Sequence, residues 1–311
     1  MIPPADLNSL DLPVLFRELC AGGLVRRLLE IARDEDLGVG AFSGDITSRS
    51  WSPGCDRTSA RLVAREGGVV SGLAAMPMLL ELFAPGTRVE ASVHDGAAIR
   101  RGEVLASLDG PTVEVLALER TMLNLVGRLS GVATMARRFV DAIGPGVRAR
   151  LFDTRKTTPG LRVLEKYAVR CGGGLCHRLG LYDAMLVKDN HVSLVPTDRL
   201  AERAAEAARR GRAERPLRFV EIEADRLEQV EAILSVEPGL IDVILLDNMG
   251  LESLREAVAL RDRKHPGMLL EASGGIRVEN VRAVAESGVD RISVGALTHS
   301  AVSLDVGLDA K

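Results

Sequence analysis

The sequence is poor in aromatic residues, 3% of 311, and has no excess of positive charge, since 40 Lys and Arg stand against 43 Asp and Glu. A nucleic-acid binder needs cations for the phosphates and rings for stacking, so that class of partner is excluded. Local basic clusters are then left to meet a small anion. Long apolar runs are missing too. The longest, "SGLAAMPMLLELFAPG", is interrupted by Pro77 and cut by Glu81, too short to span a bilayer. The opening "MIPPADLNSLDLPVLFRELC" carries acids at Asp6 and Asp11 and no basic segment ahead of an apolar one, so no secretory signal is expected. Four cysteines in a chain of this length fit reduced thiols in a cytoplasm and not a disulfide framework. Cys171 and Cys176, followed by His177, invite a haem or zinc reading. Haem attachment takes two residues between the cysteines where four stand here, and Cys20 and Cys55 add no paired spacing for zinc. Packing thiols and no tightly bound organic cofactor are the expectation.

What is present falls into two rhythms. Residues 60 to 112 read as short β-like runs broken by Gly and Pro, as in "ARLVAREGGVVSG" and "TRVEASVHDGAAIRRGEVLASLDGP". No lysine sits at a tip between those strands, which argues against a carrier domain. The stretch 112–144 is apolar at three- and four-residue intervals and helical by pattern despite internal glycines. Beyond it, six short apolar strands alternate with amphipathic helices: "VRARLFDTRK", "DAMLVKDNH", "RFVEIEAD", "DVILLDN", "MLLEASGG" and "RISVGAL". Strands nearly continuous in Val, Ile and Leu imply a parallel sheet covered by helices, and six such units favour a (β/α) barrel.

Each of these strands ends in a polar group or glycine: Arg155 and Lys156, Lys188, Glu223, Asp247, Ser273–Gly274–Gly275, Gly295. One such ending is ordinary loop solvation, and Lys188 with an acid could be a mere salt bridge at the mouth. Six endings at the C-terminal face of a barrel converge on one site. The small residues after the last two strands leave backbone N–H groups, and in "LEASGGIRVENV" a following helix start, for a phosphate. Glu223 and Asp247 suit ribose hydroxyls or a Mg²⁺ carried on a pyrophosphate. Arg155, His177, Arg178 and Lys188 make the other end cationic, and "DTRKTTPGLR" adds Lys156 and Arg162. A phosphorylated sugar and a carboxylate-bearing partner fit that order.

The ordered motifs "ALERTMLNLVGRLSGVAT", "DTRKTTPGLR", "CGGGLCHRLGLYDAMLVKDNH", "VEIEAD", "ILLDNM", "ASGGI" and "SVGALTHS" resemble those of quinolinate phosphoribosyltransferase, from "EDLGVGAFSGDITS" near residue 35 to Ser300. The resemblance implies an α/β protein with a sandwich-like N-terminal domain, residues 1–127, to which 299–311 return, and an incomplete (β/α) barrel, residues 128–298. It implies a homodimer or higher assembly with shared sites. Quinolinate would be held by Arg120 of the partner subunit with Arg155, His177, Arg178 and Lys188. Lys156 and Lys188 would lie near phosphoribosyl pyrophosphate, Glu223 and Asp247 beside its ribose with Mg²⁺, and Ser273, Gly274, Gly275, Gly295 and Ala296 around its phosphate. Two departures stand out: Cys176 replaces the Asn more usual before "HR", and Ala41–Ser43 read as an insertion. The remaining readings are a relative acting on another carboxylated ring, a Schiff-base aldolase using Lys188, and a non-catalytic phosphate binder.

Overall fold

Two glycines inside the helix Thr112–Ile143 show how the first half of the chain is built. Glycine weakens a helix, yet a Cβ on Gly127 would lie 2.8 Å from the Leu304 carbonyl oxygen, and one on Gly131 would lie 2.0 Å from that of Val302. The helix is pared down so that the segment 302–304 can run against its backbone, and Leu304 N–H donates to the Gly127 carbonyl at 2.9 Å.

This is a computed structural model, and it describes residues 6–51 and 56–310, without the Phe42 side chain. Cys55 lies outside the described residues. The chain divides into two compact units, neither continuous in sequence: 10–137 with 157–173 and 297–311, and 1–9 with 138–156 and 174–296.

The first unit is built on an antiparallel sheet. Its strands are β1 (Arg57–Ala64), β3 (Arg88–Ala91), β5 (Val104–Pro111) and β12 (Val306–Ala310), in the order β12-β1-β5-β3. A small ladder joins β2 (Gly68–Val69) to β4 (Ala98–Ile99). The core is apolar around a few buried polar groups, among them Asp95, Glu165 and Lys166. Asp95 accepts from the N–H groups of Leu73 and Ala74 and from the Tyr167 hydroxyl, all at 3.0 Å. Of the expected insertion Ala41–Ser43, the first two residues lie in a short 3₁₀ turn, Gly40–Phe42, which Ser43 ends.

The second unit is an open parallel barrel. Strands β6 (Arg150–Phe152), β7 (Met185–Val187), β8 (Val220–Ala224), β9 (Val243–Asp247), β10 (Leu269–Ser273) and β11 (Arg291–Ser293) pair in the order β6-β11-β10-β9-β8-β7. All six fall where the apolar runs predict them. Phe152 bridges Leu175 on the other side of β6, and among the described residues no pairing joins that edge to β7. The covering helices follow their sequence pattern. In Thr197–Glu214 the buried residues are Leu200, Ala204 and Ala208, one every four positions, and the outer face carries ion pairs such as Arg203–Glu206. The helical stretch expected after "SGG" is shorter than its pattern, Val281–Ala285 only.

Candidate functional site

Side chains alternate along a strand, so residues level with one another in a parallel sheet share a face. Glu271 pairs in register with Leu245 and Arg291, Glu223 with Leu245, and Ser273 with Asp247 and Ser293. One face therefore carries Glu221 and Glu223, Asp247, Glu271 and Ser273, and Arg291 and Ser293. It is the inner face of the curled sheet, since Glu221 and Glu271, on strands that are not neighbours, both reach His177.

At the C-terminal rim, Lys188 Nζ lies 2.7 Å from Glu223 Oε2, the lysine side chain 48% exposed and the glutamate 5%. The second Glu223 oxygen accepts from Asp189 N–H at 3.4 Å. The salt bridge that the sequence left open is thus present. Asp247, partly exposed, accepts from Asn248 Nδ2 at 2.7 Å. Asn248 has φ of 55°, the one non-glycine residue with positive φ among those described. Its N–H reaches the Ser273 carbonyl at 2.9 Å. A Cβ on Gly274 would sit 2.3 Å from Asn248 Oδ1, so Asn248 keeps its place only because residue 274 has no side chain. Around this turn a cavity of about 280 Å³ is lined by Asn248, Gly250, Ser273, Gly274, Gly275 and Asn280. The expected helix start comes later than its pattern: residues 276–280 form a turn, with Asn280 bonded to Arg277 N–H and the Gly275 carbonyl, and the helix begins at Val281, its N-cap Asn280 still lining the cavity. Backbone N–H groups of the turn, together with the start of the helix Leu251–Lys264, whose N-cap Gly250 lines the same cavity, are what this place has to offer. Gly295 and Ala296 follow β11 and open a helix of only four residues.

Deeper in the barrel, His177 Nε2 lies 2.9 Å from Glu221 and 3.4 Å from Glu271, with all three groups buried. Phe152 and Phe219 meet the imidazole edge-on, and Arg291 lies over both phenyl rings. Burial disfavours charge on the ring, but the negative charges of Glu271 and Glu221 outweigh it and raise its pKa to about 10. Nδ1, however, accepts the Arg178 N–H at 2.8 Å and must keep a lone pair. That contact fixes the Nε2–H tautomer. The extra proton favoured by the two acids is better placed on Glu221, whose carboxyl is pushed up by burial and then by the charge of Glu271. His177, Glu221 and Glu271 are a metal-type set by residue class and spacing, but a protonated Nε2 is no ligand. They read as a proton-sharing cluster, with both ring nitrogens engaged inside the unit.

Arg178 is 6% exposed. Arg155, half-buried, and Lys156, exposed, follow β6, and Lys156 N–H donates to Thr154 Oγ1 at 3.0 Å. The other predicted cations fall in the first unit. Arg162 Nε donates to Thr157 Oγ1 at 3.1 Å. Arg120 is exposed and lines a cavity of about 350 Å³ with Glu35, Asp36, Asn124 and Arg128. The basic cluster of "DTRKTTPGLR" is therefore divided between units. The cysteines are apart as well: Cys171 packs in the first unit, where Ser71 Oγ lies 3.4 Å from its sulfur and burial pushes the thiol up to about 12, and Cys176 is buried in the barrel.

Sequence reasoning passed over Glu221, Glu271, Asp153 and Asp183. The first two had a signal: each stands two residues before a rim residue, in "EIE" and "EAS", and so shares its inner face. Asp153, fully buried, accepts His177 N–H at 2.9 Å, and Asp183 accepts from Leu179 and Gly180.

Comparison with known proteins adds an independent line. Residues 45–130 match the family model "Quinolinate phosphoribosyl transferase, N-terminal domain", and residues 132–309 match its C-terminal domain. The chain is 44% identical over 292 residues to a protein of Mycobacterium leprae named nicotinate-nucleotide pyrophosphorylase [carboxylating], covering 93% of this chain and 98% of that one. The solved nicotinate-nucleotide pyrophosphorylase of Francisella tularensis superposes with a TM-score of 0.81 at 30% identity, over 98% of this chain and 99% of that one. That of Ehrlichia chaffeensis gives 0.80 at 34% identity, over 92% and 98%.

Proposed function

Since the chain belongs to the quinolinate phosphoribosyltransferase family, a pentosyltransferase of NAD biosynthesis also called nicotinate-nucleotide pyrophosphorylase (carboxylating), we propose how its own residues divide that work. The observation carrying the proposal is the rim of the open barrel, where Lys188 and Glu223 form an ion pair and Asp247 and Ser273 stand level on the same inner face.

Quinolinate is a dianion with adjacent carboxylates, and guanidinium forks bind carboxylates bidentately. Arg155, Arg178 and Lys188 hold these two groups, with Arg120 supplied by the partner subunit of a homodimer and Lys156 adding positive potential. His177 supports Arg178 through the Nδ1 contact. The ring nitrogen attacks C1 of phosphoribosyl pyrophosphate as pyrophosphate leaves, and positive charge grows on the ribose. Glu223 and Asp247 face that charge. Lys188 changes partner on binding, from Glu223 to a substrate carboxylate, which frees Glu223 for the ribose. The turn at Ser273–Gly275 and the start of the segment at Gly295–Ala296 take the sugar phosphate through backbone N–H groups. Once nitrogen is quaternary, the neighbouring carboxylate leaves as CO₂ because the carbanion is stabilised by the adjacent positive charge. Nitrogen attack needs no general base, since the nitrogen lone pair carries no proton to remove.

Glu223 and Asp247 present the hard carboxylate oxygens that Mg²⁺ takes, and Asp247, the less committed of the two, fits it better. Bound with the donor, Mg²⁺ neutralises the departing pyrophosphate. No helix among the described residues is long and apolar enough to cross a membrane, and the free thiols suit a cytoplasmic enzyme. The aldolase reading is disfavoured because Lys188 is one half of an ion pair, the reverse of the desolvated, unpaired amine that Schiff-base chemistry uses.

Mixing the protein with quinolinate, phosphoribosyl pyrophosphate and Mg²⁺ should release pyrophosphate and CO₂ in equal amounts. Nicotinate, lacking the second carboxylate, should be turned over roughly 10⁴-fold less efficiently, because it forfeits the charge-assisted contacts of that group in a site built for two anions. Comparable kcat/KM for the two acids would rule out the dicarboxylate pocket.

A further inference from the structure

The backbone that carries His177 and Arg178 belongs to no helix or strand. Five successive N–H groups along it nevertheless each donate to a side chain. Cys176 donates to Asn8 Oδ1 at 2.8 Å, His177 to Asp153 at 2.9 Å, Arg178 to His177 Nδ1 at 2.8 Å, and Leu179 and Gly180 to Asp183 at 2.8 and 2.9 Å. Four of these contacts come from within the barrel's own motifs. Asn8 comes from 168 residues away and precedes both matched family domains.

Asn8 does more than accept. Its Nδ2 donates to the Cys176 carbonyl at 3.0 Å, so the amide grips both polar groups of one residue as a neighbouring strand would. Asn8 is itself held in a tight turn. Its N–H donates to Asp6 Oδ1 at 3.1 Å, the Ser9 N–H and hydroxyl donate to the Asp6 carbonyl, and Leu7 is buried. Both the amide and the residue it grips lie in the barrel unit.

We propose that Asn8 is a positioning residue for substrate binding, fixing the direction in which His177 and Arg178 leave the backbone. The inference rests on the reading that Arg178 holds a quinolinate carboxylate. A guanidinium fork gains from both its hydrogen bonds only when it is already aimed, since orienting it at the moment of binding costs affinity. Irregular backbone takes its aim from such side-chain contacts, and the Asn8 grip takes both polar groups of the residue that precedes His177.

The test is steady-state kinetics on the full chain for Asn8→Ala, Asn8→Asp, Arg178→Lys and the Asn8→Ala/Arg178→Lys double variant. Loss of two neutral hydrogen bonds should raise the KM for quinolinate about tenfold in Asn8→Ala. The KM for phosphoribosyl pyrophosphate, kcat and Tm should stay near wild type. Asn8→Asp keeps the acceptor but turns a carboxylate towards the Cys176 carbonyl, and should be at least as impaired. In the double variant, Asn8→Ala should add little to the effect of Arg178→Lys, because one acts through the other. An unchanged quinolinate KM in both Asn8 variants, a uniform loss across kcat, both KM values and Tm, or a fully additive double variant would each overturn the positioning role. If Arg178→Lys alone leaves quinolinate binding unaltered, the carboxylate reading of Arg178 fails and the role of Asn8 falls with it.

Discussion

Lys188→Ala separates what the ion pair does for the fold from what it does for the reaction. From the sequence alone, taking one cation out of a basic neighbourhood relieves repulsion and leaves stability intact. The ion pair reverses that expectation, because Glu223 is 5% exposed and would lose its partner at 2.7 Å. Breaking a fully buried pair costs about 3–5 kcal/mol and an exposed one at most about 1. With the lysine half in solvent, the loss should be about 1–2 kcal/mol, a fall in Tm of roughly 3–6 °C. Adding Glu223→Gln removes the orphaned charge and should recover most of that loss. Activity should behave differently. A charge-assisted contact to a substrate carboxylate in a dry site is worth enough to lower kcat/KM by at least about 100-fold, and the second substitution should deepen the defect. Thermal melts and initial-rate assays on the two variants decide the matter. Kinetics within about threefold of wild type for Lys188→Ala would remove this residue from the site, and an unchanged Tm would show that the pair does not hold Glu223.

Two further outcomes are expected. Arg120→Ala and Lys188→Ala should each be nearly inactive, but refolding them together in equal amounts should restore about a quarter of wild-type activity, since half the dimers are mixed and each has one intact site; no recovery despite proven exchange would confine Arg120 to its own chain. Asp95 has its pKa raised above the ordinary 3.8 by burial, against the pull of its hydrogen bonds, so folding carries a charge penalty above that value which fades as pH falls. Urea unfolding should therefore show the stability lead of wild type over Asp95→Asn widening from pH 7 towards pH 4, and a constant lead would refute the shift.

The six barrel strands were legible because each is a short apolar run with a polar stop, a signal that needs no tertiary knowledge. The rim residues were legible for the same reason. Glu221 and Glu271 were not read, because a charge inside a strand ordinarily marks a solvent face, and only the curling of the sheet turns that face inward. The contact between Lys188 and Glu223 could be raised as an alternative from sequence but not decided, since it depends on which rim residues stand level. Asn8 left no trace at all: nothing near it in sequence marks an amide that grips Cys176. The short helix after Gly275 was overread, as amphipathic composition persists through residues 277–280 where the Asn280 side chain holds a turn instead.

The antiparallel sheet pairs Ala60 with Ala310. A strand made early in synthesis thus waits for a partner some 250 residues later, and until residues 306–310 have been made its edge is open to other chains. Contacts this distant slow folding, because a long loop must be closed before they can form. Since the barrel unit is largely encoded between the two halves of that sheet, it can be assembled while the sheet is still incomplete. Cutting the chain before residue 306 should then yield a protein that aggregates through its exposed β1 edge, whatever the state of its barrel.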